Sequence, residues 1–112
     1  MLTHSRNQTL DIPLRIETVG RDGSLVLVVE GELDITTSHL LDEALTRALD
    51  TDALSIVVDL HAVSFIDSTG LHVLIRHTQE SRPRVRLTKG SPQVQRLFEL
   101  TGALDYLPFV SE

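Results

Sequence analysis

The sequence predicts an α/β fold, a mixed β-sheet of about four to five strands with helices packed against it. Two apolar stretches, beginning near Leu10 and at Ser24, flank a short glycine-containing turn. Downstream, apolar runs alternate with segments whose apolar residues fall three and four apart. A hairpin followed by helical crossovers combines antiparallel with parallel strand pairs. A chain of 112 residues suffices for one such domain and its core.

The elements follow in order. Ile12, Leu14 and Ile16 alternate with Arg15 and Glu17, the pattern of a half-buried strand. Gly20-Arg21-Asp22-Gly23 is a turn signal, and Ser24 to Glu30 returns as the second strand of a hairpin. Its core, Leu25-Val26-Leu27-Val28-Val29, is apolar on both faces and belongs inside the sheet. Gly31-Glu32-Leu33-Asp34 is expected to leave the sheet. Thr36, Thr37 or Ser38 can cap a helix carrying Leu41, Ala44, Leu45 and Ala48. Leu54 to Leu60 reads as a buried strand, with Phe65-Ile66 as a brief continuation. Asp67-Ser68-Thr69-Gly70 opens a second helix, whose Leu71, Leu74, Ile75 and Thr78 share one face.

Pro83 stops that helix and Val85-Arg86-Leu87 is a short fourth strand. Ser91 caps a third helix with Pro92 at its first position, where a missing N–H costs nothing. Val94, Leu97, Phe98 and Thr101 line its inner side, Gly102 stops it, and Tyr106, Leu107 and Phe109 pack back onto the domain. Residues 1–9 are expected to be a flexible N-terminus, and 10–112 a single domain.

Composition excludes several functions. Cysteine is absent, which removes disulfides, thiolate nucleophiles and cysteine-based zinc sites. Sixteen acids against ten bases give a formal charge of −6, the wrong sign for a nucleic-acid partner. Arg82, Arg84 and Arg86 form the only basic cluster, read as a solvated strand end. The first ten residues lack a signal-peptide core, and no apolar run approaches the roughly 20 residues of a membrane helix. A soluble, cytoplasmic protein without membrane attachment is therefore expected. His4, His39, His61, His72 and His77 show no zinc-site spacing and are read as surface or boundary residues. Neither a metal nor a cofactor is expected, since a Gly-rich phosphate loop is missing too. Enzyme chemistry finds little support. Gly-x-Ser-x-Gly is absent. Asp67-Ser68-Thr69-Gly70 only superficially resembles an aspartic-protease triplet, with one residue too many between acid and glycine.

The informative feature is a hydroxyl between a buried strand and a helix. Ser68 and Thr69 sit where a helix has unpaired N–H groups and the positive end of its dipole, a place that accepts a phosphoryl group. On periodicity alone Ser68 is simply a helix cap. Asp67 and Asp34 read equally well as turn and capping residues or as groups that position the hydroxyl or touch a partner. Gly70 permits close backbone approach or a plain turn.

The stretch Asp59-Leu60-His61-Ala62-Val63-Ser64-Phe65-Ile66-Asp67-Ser68-Thr69-Gly70-Leu71 is similar to the signature of STAS domains, the fold of anti-sigma factor antagonists. Gly31-Glu32-Leu33-Asp34 resembles a turn of the same family, and Ser91-Pro92-Gln93-Val94 through Leu100-Thr101-Gly102 its distal stretch. The likeness runs from about Leu10 to Phe109 and departs at the abrupt Glu80-Ser81-Arg82-Pro83 link. It implies the STAS fold and a partner switch. The unphosphorylated chain would bind an anti-sigma factor with a histidine-kinase-like ATPase fold and free the sigma factor. Phosphorylation of Ser68 by that partner would break the complex, and a metal-dependent serine phosphatase would reset it. Asp34, Asp67, Thr69 and Gly70 would contact the partner, and this chain would be substrate and ligand, not enzyme. STAS domains also serve as adaptors in stress-signalling and lipid-transport complexes, the alternative to a phosphoswitch.

Overall fold

The computed structural model describes residues 13–111, so the expectation for residues 1–9 and the start of the first strand lie outside the described residues. Strands β1 (Leu14–Arg21) and β2 (Ser24–Leu33) form the hairpin, joined by Asp22 and Gly23 at φ 50° and 82°. Positive φ at both central residues is the turn whose twist matches that of the strands it joins. Helix α1 (Ser38–Leu49) crosses to β3 (Ser55–Ile66), α2 (Ser68–Glu80) to β4 (Val85–Leu87), and α3 (Pro92–Thr101) follows. The sheet order is β1-β2-β3-β4, antiparallel at the hairpin and parallel at the other two pairings. A single backbone bridge joins Leu87 to Phe109 where a fifth strand would lie.

One core unites these layers. Leu27, Val29, Ile56, Val58, Leu60 and Leu87 from the sheet pack with Leu41, Leu45, Leu74 and Phe98 from the helices. Phe98 also meets Phe109, ring centroids 6.0 Å apart. Leu107 is buried as expected, but Tyr106 is 63% exposed and Thr101 lies outside as well.

Two expectations about strand length are corrected. Gly31, Glu32 and Leu33 stay in β2 instead of leaving the sheet, and β3 runs unbroken for 12 residues. The cause is a pair of irregularities in the β2–β3 register, between Val28 and Glu30 and again between Gly31 and Glu32. Each gives β3 one extra residue, so its buried side chains step from Leu60 to Val63 to Ile66. A spacing of three hides a strand from a period-two reading. Gly31 lies at one of these irregularities with φ +116°, and a Cβ there would sit 2.1 Å from the Pro13 carbonyl oxygen.

Two surface assignments are also corrected. Arg84 is no solvated strand end. Its guanidinium donates to the carbonyls of Ala53 (2.9 Å), Leu49 (3.1 Å) and Thr51 (2.6 Å), tying the end of α1 and the following turn to β4. His77 is buried between helices, its Nε2 2.6 Å from the Asp42 carboxylate of α1.

Because one planar cation satisfies three carbonyls, Arg84→Ala is expected to cost about 2–3 kcal/mol. Arg84→Lys should recover less than half of that, since an ammonium cannot reproduce the fork. Urea denaturation of both variants checks this; a loss within the roughly 0.5 kcal/mol of ordinary surface substitutions would contradict it.

Candidate functional site at the shared end of β2 and β3

Strands β2 and β3 run parallel and end side by side, with Leu33 paired to Ile66. Both strands therefore leave the sheet at the same end, and the Asp67 amide donates to the Leu33 carbonyl at 3.0 Å. The loops bearing Asp34 and Asp67 meet there.

Asp67, not Ser68, caps α2. Its backbone is extended, and Oδ1 accepts from the Thr69 amide (2.9 Å), the Gly70 amide (3.3 Å) and the Thr69 hydroxyl (2.5 Å). The carboxylate thus satisfies two of the amides a helix start leaves unpaired. Ser68 becomes the first residue of the helix. Its side chain is exposed, and among the described residues neither its hydroxyl nor its amide has a hydrogen-bond partner. The expectation that Ser68 caps the helix is corrected by this geometry. A carboxylate is a stronger acceptor than a hydroxyl and complements the helix dipole better.

Asp34 builds the neighbouring loop. Its Oδ1 accepts from the Thr36 amide (2.9 Å) and the Thr36 hydroxyl (2.8 Å), while its own amide donates to Thr37 Oγ1 (2.9 Å). Thr37 occupies the cap position of α1 but makes no capping bond from its side chain; its hydroxyl donates to the Glu32 carbonyl at 2.7 Å instead. Ser38 Oγ donates to the Asp34 carbonyl (2.6 Å) and lies 3.1 Å from Thr69 Oγ1, a direct link between the loops. Gly70 is needed for space. A Cβ on it would fall 2.9 Å from the Leu33 Cβ and 3.0 Å from Ile66 Cγ1, so close approach, not a turn, is its role.

The electrostatics follow. The Thr36 hydroxyl and amide hold Asp34 below its ordinary value, against some desolvation. For Asp67, desolvation raises the pKa, but the Thr69 hydroxyl and the Gly70 and Thr69 amides together outweigh it and the repulsion from Asp34. Both acids are therefore charged at neutral pH. Arg76, the nearest cation along α2, is already held by the Asp42 carboxylate.

Side chains that the sequence reading did not single out complete the rim. Ile35, next to Asp34 in the first loop, is 77% exposed, and Phe65 is 48% exposed beside a groove lined by Ser64, Gln93, Val94 and Leu97. The signal for Phe65 lay in the Leu60, Val63, Ile66 spacing, which turns it outward. No group of three or more histidines or acids among the described residues could hold a metal ion. No helix there is long and apolar enough to cross a membrane.

A carboxylate whose pKa is lowered in the folded state contributes stability that is fully present above its unfolded value and lost as pH falls through the lower folded one. Asp67→Asn keeps a capping oxygen but removes the charge. The variant is expected to be less stable than the wild type at pH 7 by about 0.5–1 kcal/mol, the value of an anion at a helix start. That gap should close as pH drops below the ordinary carboxyl value of 3.8. Denaturation curves across pH check it; a gap constant down to low pH would show that the charge does not matter.

The sequence profile of the STAS domain matches residues 15–112. An anti-sigma-B factor antagonist of Staphylococcus aureus (strain NCTC 8325 / PS 47) is 34% identical over 97 residues, which is 84% of this chain and 90% of the relative. Among solved structures, an anti-sigma factor antagonist from Mycobacterium paratuberculosis superposes with a TM-score of 0.79 at 26% identity, covering 88% of this chain and 86% of that one. The Bacillus cell fate determinant SpoIIAA in its phosphorylated form shares the fold, with a TM-score of 0.61 at 22% identity over 88% and 92% of the chains. Its unphosphorylated form gives 0.64 at 23% identity over 88% and 89%. With the matched span and the four-stranded mixed sheet in agreement, the chain belongs to the STAS domain family, among the anti-sigma factor antagonists.

Proposed function

We propose that this chain is an anti-sigma factor antagonist switched by phosphorylation of Ser68. In its unphosphorylated form it binds an anti-sigma factor and so releases a sigma factor; transfer of a phosphoryl group to Ser68 breaks that complex. The observation that carries the reading is the division of labour between Asp67 and Ser68. Asp67 takes the capping bonds, which leaves the Ser68 hydroxyl exposed on the first helical residue without a partner among the described residues. Thr69 is a poorer acceptor, because its hydroxyl is committed to Asp67 at 2.5 Å.

The partner surface comprises Asp34, Asp67 and Thr69 over the buried Gly70, which seats the helix start beneath them, flanked by the exposed Ile35 and Phe65. The partner is an anti-sigma factor with a histidine-kinase-like ATPase fold, and a metal-dependent serine phosphatase restores the free hydroxyl. Catalysis belongs to those partners and this chain is substrate and ligand. Since its target is the transcription apparatus, the working compartment is the cytoplasm.

Charge supports a local release mechanism. A phosphoryl group adds roughly −1.5 to −2 charge at neutral pH. It would stand beside Asp67, with Asp34 in the adjoining loop. The Thr69 and Gly70 amides that could have cradled it are occupied by Asp67. A partner surface that accommodates two carboxylates then meets a third, stronger anion. SpoIIAA keeps this fold in both its phosphorylated and unphosphorylated forms, which supports release without refolding.

Incubating the protein with candidate anti-sigma kinases and Mg-ATP, then mapping phosphate by mass spectrometry, tests the acceptor. Incorporation is expected in the wild type and in Thr69→Ala, and none in Ser68→Ala; phosphate on another residue would overturn the assignment. Ser68→Asp is expected to weaken binding to the anti-sigma factor by about tenfold or more, while Ser68→Ala stays within about twofold of wild type. Calorimetric titration reads both, and equal affinities for the Asp and Ala variants would argue against a charge switch.

A further inference from the structure

We propose that the outer edge of β1 pairs with the same edge of a second copy of this chain, antiparallel and centred on Ile16. Strand β1 ends the sheet, so among the described residues no strand covers its outer side. It is eight residues long, keeps an unbroken register with β2, and contains no proline, bulge or lysine. Those are the devices that ordinarily keep an edge from pairing.

The backbone parity of the edge is fixed by two observations. The two-residue turn closes on the Arg21–Ser24 pair, and the Glu32 amide donates to the Pro13 carbonyl at 2.7 Å. Both make the odd-numbered residues of β1 bond inward to β2. The amides and carbonyls of Leu14, Ile16, Thr18 and Gly20 therefore point outward, unpaired among the described residues and open to another strand.

Charge then selects the partner and the register. A two-fold antiparallel pairing places like residues symmetrically about its centre. Centred on Arg15 or on Glu17 it sets identical charges against each other, and centred on Thr18 it opposes Arg15 to the partner's Arg21. Centred on Ile16, Arg15 faces the partner's Glu17 and Glu17 faces the partner's Arg15. These fall at non-hydrogen-bonded positions, where side chains approach most closely. Glu30 lies opposite Arg15 on β2, so the exposed row alternates in sign as Glu30, Arg15, then the partner's Glu17. On the inner side the half-buried Ile16 meets the partner's Ile16, which extends the core across the axis. A register centred on Val19 also pairs opposite charges, but it runs into the Asp22-Gly23 turn and keeps two outward hydrogen-bonded pairs where the Ile16 register keeps three. The edge is thus self-complementary.

A contact of this size gives a weak dimer. Sedimentation velocity on the full chain from about 10 μM to about 1 mM tests it. The wild-type dimer fraction is expected to rise across that range. Arg15→Glu and Glu17→Arg each set like charges face to face and should weaken association at least about tenfold. The exchange Arg15→Glu with Glu17→Arg restores opposite pairs and should restore the dimer, while Arg21→Glu should behave as wild type. Circular dichroism melts establish that each variant is folded. A wild type that remains monomeric at the top concentration overturns the proposal. So do single variants that still dimerise, a double variant that does not recover, or a dimer that depends on Arg21.

Discussion

The cap that Asp67 places on α2 is the interaction on which the candidate site depends. One carboxylate oxygen gathers two helix-terminal amides and the Thr69 hydroxyl, which fixes where the helix begins and which residue stands first in it. Had Ser68 held the cap, its hydroxyl would be occupied as an acceptor and turned toward the helix. With Asp67 in that role the same hydroxyl is presented outward. The proposed acceptor and the capping residue are adjacent but distinct, so modification of Ser68 need not dismantle the helix start.

The cap works because the sheet delivers it to a precise neighbour. Parallel strands β2 and β3 finish together, the Asp67 amide is held by Leu33, and Gly70 lets the helix settle within contact of Leu33 and Ile66. That closeness brings the Asp34 loop alongside, where Ser38 approaches Thr69. Two depressed carboxyl pKa values are the electrostatic result: each acid is stabilised as an anion by hydroxyl and amide donors, Asp67 despite the charge of Asp34. The surface is poised to be changed sharply by one more anion, and Arg76 cannot soften the change while Asp42 holds it. Farther away, Asp42 also receives His77, so the two helices that bear the loops are joined below the site.

Much of this was legible in the sequence, for physical reasons. The hairpin, the order of helices and strands, and the Ser91–Pro92–Gly102 punctuation of α3 follow from periodicity and turn chemistry that act within a few residues. The family likeness pointed to the end of the sheet that carries the candidate site. What escaped depends on contacts distant along the chain. The continuation of β3 was hidden because two extra residues change its burial spacing from two to three. Arg84 looked like surface charge, since its three carbonyl partners lie more than thirty positions away. His77 looked peripheral until Asp42 met it. Asp67 and Ser68 are both good cap residues, and only the backbone conformation decides between them. Exposure of Ile35 and Phe65 follows from the same three-dimensional placement.

The central claim is that a phosphate on Ser68 acts by local charge on a fold that stays as it is. Backbone amide shifts of the unphosphorylated and Ser68-phosphorylated protein, compared by NMR, test it most directly. The account predicts changes confined to the Asp34 and Asp67 loops and the first turns of α1 and α2, with β1, β4 and α3 unmoved. Changes spread through the whole sheet would contradict it.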